Sequence, residues 1–207
     1  MTSTRSAPAT APAPRGAVYV PDPPFARALF STTRFAWLWL LVRLYVGWQW
    51  LESGWGKISG GVWASGEPLR GFWANAVQIP ESGRPTIAYD WYRQFLQFML
   101  NQGWYTWFAD LVMWGELLIG VALMLGAFTG IAAFAGGFMN WNFIMAGSAS
   151  VNGFLLVLAV ILVLAWKVAG WYGLDRWLLP AIGVPWRWGT HPEAFTQPPR
   201  NRPILEP

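Results

Sequence analysis

The chain has no cysteine and only one histidine. Without cysteine it forms no disulfide, thiolate metal site, CxxC redox pair or cysteine nucleophile. The single histidine, His191, follows the last apolar segment, which excludes a histidine-held haem within the bundle and marks it as an ordinary tail residue. No flavin fingerprint or metal-ligand cluster is present either. Charge is also scarce: Asp, Glu, Lys and Arg make up 12% of 207 residues, about half the roughly 25% of a soluble domain. The net charge of +4 comes from thinly spread basic residues, so nothing resembles a nucleic-acid footprint.

What replaces charge is apolar and aromatic. Apolar residues reach 55%, with 17 Trp and a mean hydropathy of +0.32. Tryptophan favours the membrane–water boundary, where the ring is buried and the N–H stays wet. A membrane span needs about 20 mostly apolar residues. Four segments qualify, at about 35–57, 105–126, 129–147 and 152–170. The last three are joined by "AFTG" and "SASVN", turns short enough to make them antiparallel neighbours. The expectation is an all-α integral membrane bundle of four transmembrane helices over residues 25–180. Residues 1–24 read as a disordered Pro/Ala-rich tail rather than a signal peptide, because no apolar run follows Arg5. Residues 181–207 form a C-terminal tail.

Residues 58–103 are too many for a simple loop. "EPLRGFWANAV" and "YDWYRQFLQFMLNQ" show helical spacing and predict surface helices, the second with Trp91, Phe95, Phe98 and Met99 on its apolar face. Residues 25–34 predict a short interfacial helix. Arg5, Arg15, Arg27 and Arg34 before the first span, and Lys167, Arg176 and Arg187 after the fourth, put both termini in the cytoplasm and residues 58–103 outside.

The first span carries three charges, in "RLYVGWQWLESGWGKISG". A charge at mid-membrane costs about 2.5–3.5 kcal/mol on the lenient insertion scale, so each needs a reason. Comparing depths along the spans places Glu52, Lys57, Glu116, Asn140 and Asn142 between the midplane and the outer surface. That suggests an outward-facing polar pocket roofed by residues 58–103. Arg43 and Lys57 share one stripe of the helix, and Glu52 lies about 180° from Arg43. Either the "SGWG" glycines unwind the helix or Glu52 faces a different partner. Arg43 is expected to reach Glu116, and Lys57 to reach Asp110. Each polar residue also has a structural reading: an ion pair setting helix register, a snorkelling lysine, asparagines bonding neighbouring helices, and Gly130, Ala133 and Gly137 serving close packing. Glu52 is the charge that structure explains least.

The stretches "RLYVGWQWLESGWGKI", "WGELLIGVALMLGAFTGIAA" and "AWKVAGWYGLDRWL", with an Asn-bearing third span between the last two, resemble the DoxX family. These are small bacterial and archaeal membrane proteins grouped with the DoxD subunit of thiosulfate:quinone oxidoreductase. The resemblance covers about residues 35–180 and rests on Arg43, Gly47, Lys57, Glu116, Gly120, Gly126 and Thr129. It implies a four-helix bundle in the prokaryotic plasma membrane and a quinone-linked oxidoreductase component. On that reading Glu52 and Glu116 move protons. Arg43, Trp48, Lys57, Asn140 and Asn142 bind the ligand, a quinone is the cofactor, and a small anion such as thiosulfate is a candidate substrate. Two other classes stay open. One is a non-enzymatic scaffold or accessory subunit that docks partner subunits through its Pro-rich tails. The other is a small proton-coupled transporter, disfavoured by the lack of an inverted repeat. Self-association is open on all three.

Overall fold

The computed structural model describes residues 22–184. Most of the N-terminal tail, most of the C-terminal tail, and His191 lie outside the described residues. Among the described residues the fold is helical, with no strand. The helices are α1 (Pro24–Ser31), α2 (Ala36–Ser59), α3 (Glu67–Ala76), α4 (Asp90–Asn101), α5 (Tyr105–Leu125), α6 (Thr129–Met145), α7 (Asn152–Leu164), α8 (Trp166–Ala169) and α9 (Asp175–Ala181). Among them, α5 alone is both long and apolar enough to cross a membrane by itself, with a mean hydropathy of 1.9. The predicted fourth span is shorter than expected. The backbone leaves the helix at Ala165, and α7 has 13 residues against the roughly 20 a span needs.

Helix α2 runs unbroken through the "SGWG" glycines, so the unwinding considered for this stretch does not occur. The glycines instead let α2 and α5 pack backbone to backbone. A Cβ at Gly54 would fall 2.6 Å from the Leu117 nitrogen, and one at Gly120 would fall 2.5 Å from the Leu51 nitrogen. Gly47 lies against Leu123 and Met124. These contacts fix an antiparallel register in which Gly54 faces Leu117, Leu51 faces Gly120 and Gly47 faces Leu123. Helices α6 and α7 form the second close pair, with Gly137 against Ala159, and Gly130 lies against Trp166 of α8. Trp39, Val46, Trp50, Ile119, Leu123, Ala133, Leu155 and Leu162 fill the space between the pairs.

Residues 60–103 form a second apolar cluster at the end of the bundle where α2 finishes, built on Leu69, Trp73, Ile87, Leu96 and Met99. The face of α4 that packs inward is Tyr92, Leu96 and Met99. Trp91, Phe95 and Phe98 are exposed, which corrects the apolar face drawn from the sequence. Of that predicted face Met99 alone packs inward, beside Tyr92 and Leu96, and the three aromatics stay on the surface. The Tyr92 hydroxyl donates toward the Asn142 carbonyl at 3.1 Å and the Asn142 Oδ1 at 3.2 Å. Burial pushes the Tyr92 phenol up to about 12, which keeps it a neutral donor at ordinary pH.

The glycine contacts are directly testable. Gly54→Ala and Gly120→Ala force backbone apart and are expected to destabilise the protein by about 1–3 kcal/mol each. Gly56→Ala, with nothing within 4 Å of the added carbon, is expected to leave stability unchanged or slightly raised. Thermal unfolding in detergent measures all three.

Candidate functional site

Two buried polar centres lie at opposite ends of the α2–α5 contact. The first follows from a geometric rule: in a helix the Cα–Cβ bond tilts toward the N-terminus. Because α2 and α5 are antiparallel, Lys57 and Glu116 lean toward each other from opposite directions. Lys57 Nζ donates to Glu116 Oε2 at 2.6 Å and, one turn back along its own helix, to Ser53 Oγ at 2.8 Å. The Trp63 ring lies over the ammonium, 4.9 Å from Nζ to its centroid, a cation–π contact that covers the pair from the 60–103 side. Glu116 is 1% exposed. The expected Lys57–Asp110 pair does not form, and Asp110 is exposed.

Arg43, one turn beyond the Gly47–Leu123 contact, is carried by the register to the other end of the pair. It is 1% exposed, but its guanidinium lies at the C-terminal end of α5 rather than beside Glu116, correcting the expected pair. Arg43 Nη1 donates to the Leu123 carbonyl at 2.8 Å and the Met124 carbonyl at 3.3 Å, and Nη2 donates to the Tyr172 carbonyl at 3.0 Å. These carbonyls include acceptors that a helix end leaves unpaired. Gly126 makes room: it turns the chain at φ +66°, and any side chain there would overlap the guanidinium. Asp175, a residue given no role in the sequence reading, completes the junction. Its carboxylate accepts from the Phe128 and Thr129 backbone N–H groups at 2.5 and 2.9 Å, capping the start of α6. The Asp175 and Leu174 N–H groups donate to Gly126 and Leu125 at 2.8 and 3.1 Å. Asp175 is buried, and its field acts on Arg43. Its only sequence signal is an acidic residue in "YGLD" in the first turn of a helix.

Beside Glu116 lies a cavity of about 240 Å³ lined by Gln49, Trp50, Glu52, Ser53, Glu116, Asn140, Phe143, Val151, Asn152 and Leu155. It therefore sits among α2, α5, α6 and the start of α7. Asn140 has no exposed surface, and neither its Nδ2 nor its Oδ1 has a hydrogen-bond partner in the protein. The buried Trp50 Nε1 is likewise unpartnered. Buried polar atoms are nearly always paired, so an amide unpaired at both atoms in a residue that lines a cavity is what a polar ligand would complement; Trp50 Nε1 lies against Gly136. Glu52 lines the same cavity but is exposed, which places it at the mouth.

Of the residues singled out from sequence, the structure brings together Glu52, Glu116, Lys57 and Asn140. Arg43 belongs to the other junction. Trp48 is exposed on the outside of α2, and Trp50 is the tryptophan that faces the cavity. Asn142 is bonded through Nδ2 to the Phe138 carbonyl at 2.8 Å and holds Tyr92. Ser53, Gln49 and Trp50 were missed; Ser53 was findable as the residue one turn before Lys57.

Lys57→Met strands a buried carboxylate and is expected to cost about 3–5 kcal/mol. Lys57→Met combined with Glu116→Leu is expected to recover most of that. A double-mutant cycle by thermal unfolding measures the coupling.

Comparison with known proteins agrees with the motifs. The DoxX family model matches residues 38–149, a stretch that holds Arg43, Gly54, Lys57, Glu116, Gly126 and Asn140. Neither a curated protein nor a solved structure matches the chain. The family match spans more than half of the chain: this protein belongs to the DoxX family of membrane proteins.

Proposed function

We propose that this protein is a quinone-linked oxidoreductase component whose cavity binds a quinone head group. On this reading α2, α5, α6 and the α7–α8 unit are the four spans of a plasma-membrane bundle. Both termini are cytoplasmic, and the cavity lies toward the outer face. The observation that carries the proposal is Asn140: a fully buried amide, unpaired at both atoms, on the wall of a cavity that also holds Glu116.

The residues present fit such a head group. A cavity of about 240 Å³ is smaller than the roughly 300–1,000 Å³ of sites that enclose whole drug-sized ligands, so it suits a substituted ring and not a long molecule. Asn140 donates to a ring carbonyl through Nδ2 and accepts from a ring hydroxyl through Oδ1. It therefore serves the oxidised and the reduced form alike. Bound quinone supplies a two-electron, two-proton couple. Glu116, held by Lys57 and Ser53, is the proton-exchanging group within the cavity, and Glu52 at the mouth connects it to the outside. The electrons come from a second substrate or a partner subunit, since a chain without cysteine offers no thiol couple of its own. A reduced sulfur anion such as thiosulfate is the donor implied by the resemblance to DoxD. Arg43, Trp48 and Asn142 drop out of this site: Arg43 and Asn142 hold helices together, and Trp48 faces outward.

Quinone extracted from the purified protein and quantified by mass spectrometry tests the proposal. The wild-type protein is expected to carry or take up quinone. Asn140→Leu is expected to bind it about tenfold more weakly, the loss of one buried hydrogen bond, with thermal unfolding unchanged or improved. Wild-type protein that neither carries quinone nor takes it up from lipid overturns the reading.

A further inference from the structure

We infer that the cavity is entered sideways from the bilayer, through the seam between α2 and α7. Its ligand is then an amphiphile whose polar ring enters the cavity while a prenyl-type hydrocarbon tail stays in the seam. The inference rests on reading the cavity as a ligand site and adds a route and a ligand shape.

Elimination gives the route. The α2–α5 side is closed by backbone contact at Gly54 and Gly120, and the α6–α7 side by Gly137 against Ala159. Between α5 and α6, Met139 packs onto Gly115, with its sulfur 3.6 Å from where a Cβ would sit. At the 60–103 end, Trp63 lies over Lys57 and Tyr92 is bonded to Asn142. No residue of 58–103 lines the cavity itself; the roof expected from sequence reaches the Lys57–Glu116 pair through Trp63 and not the cavity beside it. The remaining side is α2–α7. There Gln49, Glu52 and Ser53 face Val151, Asn152 and Leu155 across the opening. A Tyr45–Phe154 edge contact, centroids 6.1 Å apart, limits the seam further along α2 and α7.

The outer surface of α2 points to lipid at this opening. Trp37, Leu41, Tyr45, Trp48 and Trp55 are exposed and follow one another at helical spacing on a single stripe. Glu52 takes the place between Trp48 and Trp55. A carboxylate facing hydrocarbon at mid-membrane depth costs about 2.5–3.5 kcal/mol or more, but this one borders the polar cavity, so the stripe changes character where the cavity meets the bilayer. Val151 and Phe154 are exposed on the α7 side. A ligand passing here meets a polar wall at Asn140 and an aromatic and aliphatic one outside it. A water-soluble ligand has no use for the second.

The test uses wild-type protein in lipid nanodiscs and a benzoquinone carrying a ring azide and a prenyl tail ending in a diazirine. Photolysis is followed by peptide mapping. Ring label is expected at Asn140 and neighbouring cavity residues, and tail label on Tyr45, Trp48 or Phe154. Both are expected to disappear with excess unlabelled prenyl quinone. Competed ring label in the cavity with tail label on residues 60–103 overturns the lateral route and leaves the site standing. Absence of any competed ring label in the cavity overturns the site and the route together.

Discussion

The backbone-to-backbone contact of α2 with α5 is the constraint on which the other features depend. Gly54 and Gly120 have no alternative that fits, because the atoms they meet are main chain rather than movable side chain. Without a hydrophobic drive between helices in lipid, close approach of small residues is a principal source of association. The contact fixes the register to within a residue, and the register decides which polar groups meet. Lys57 meets Glu116 at one end, and Arg43 meets the C-terminal carbonyls of α5 at the other. Any slip along the pair would leave buried charges without partners, at a cost of several kcal/mol.

The two polar centres differ in what lines the space beside them. At the Arg43–Asp175 junction helix-end carbonyls meet the guanidinium and the loop amides, and helix-start amides meet the carboxylate, leaving Arg43 Nε and Thr129 Oγ1 unpaired. Such a network ties together the end of α5, the start of α6 and the loop before α9. The cavity beside Glu116 is different. Its ion pair is formed, but Asn140 keeps unused hydrogen-bonding capacity in a volume able to hold a ring. The first centre borders a hollow of about 430 Å³, but apart from Asp175 its lining is apolar, with Ile131, Phe134, Val163 and Leu179; function is argued for the second because its cavity is lined by two carboxylates and an amide unpaired at both atoms.

Much of the fold was legible in sequence because apolar periodicity and turn residues mark helices strongly. The starts at Tyr105, Thr129 and Asn152 and the surface helices at Glu67 and Asp90 lie within a residue or two of expectation. Partner choice was less legible. Ranking residues by Cα depth put Arg43 near Glu116 and Lys57 near Asp110. The glycine contacts set a register that carries Arg43 past Leu123, and the tilt of side chains toward each helix N-terminus brings Lys57 to Glu116 rather than Asp110. On α4 a bulky aromatic at a membrane boundary is stable exposed, so hydrophobicity alone did not say that Tyr92, Leu96 and Met99 would face the protein. Asp175 was hidden because a capping carboxylate that serves a distant helix leaves no local spacing signal.

An experimental density map of the protein in lipid, at a resolution that shows side-chain amides, tests the central claim most directly. A non-protein group is expected in the cavity among α2, α5, α6 and the start of α7, within hydrogen-bonding distance of the Asn140 amide and beside the Lys57–Glu116 pair. A cavity closed by side-chain repacking, with both Asn140 atoms bonded to protein groups, would contradict it.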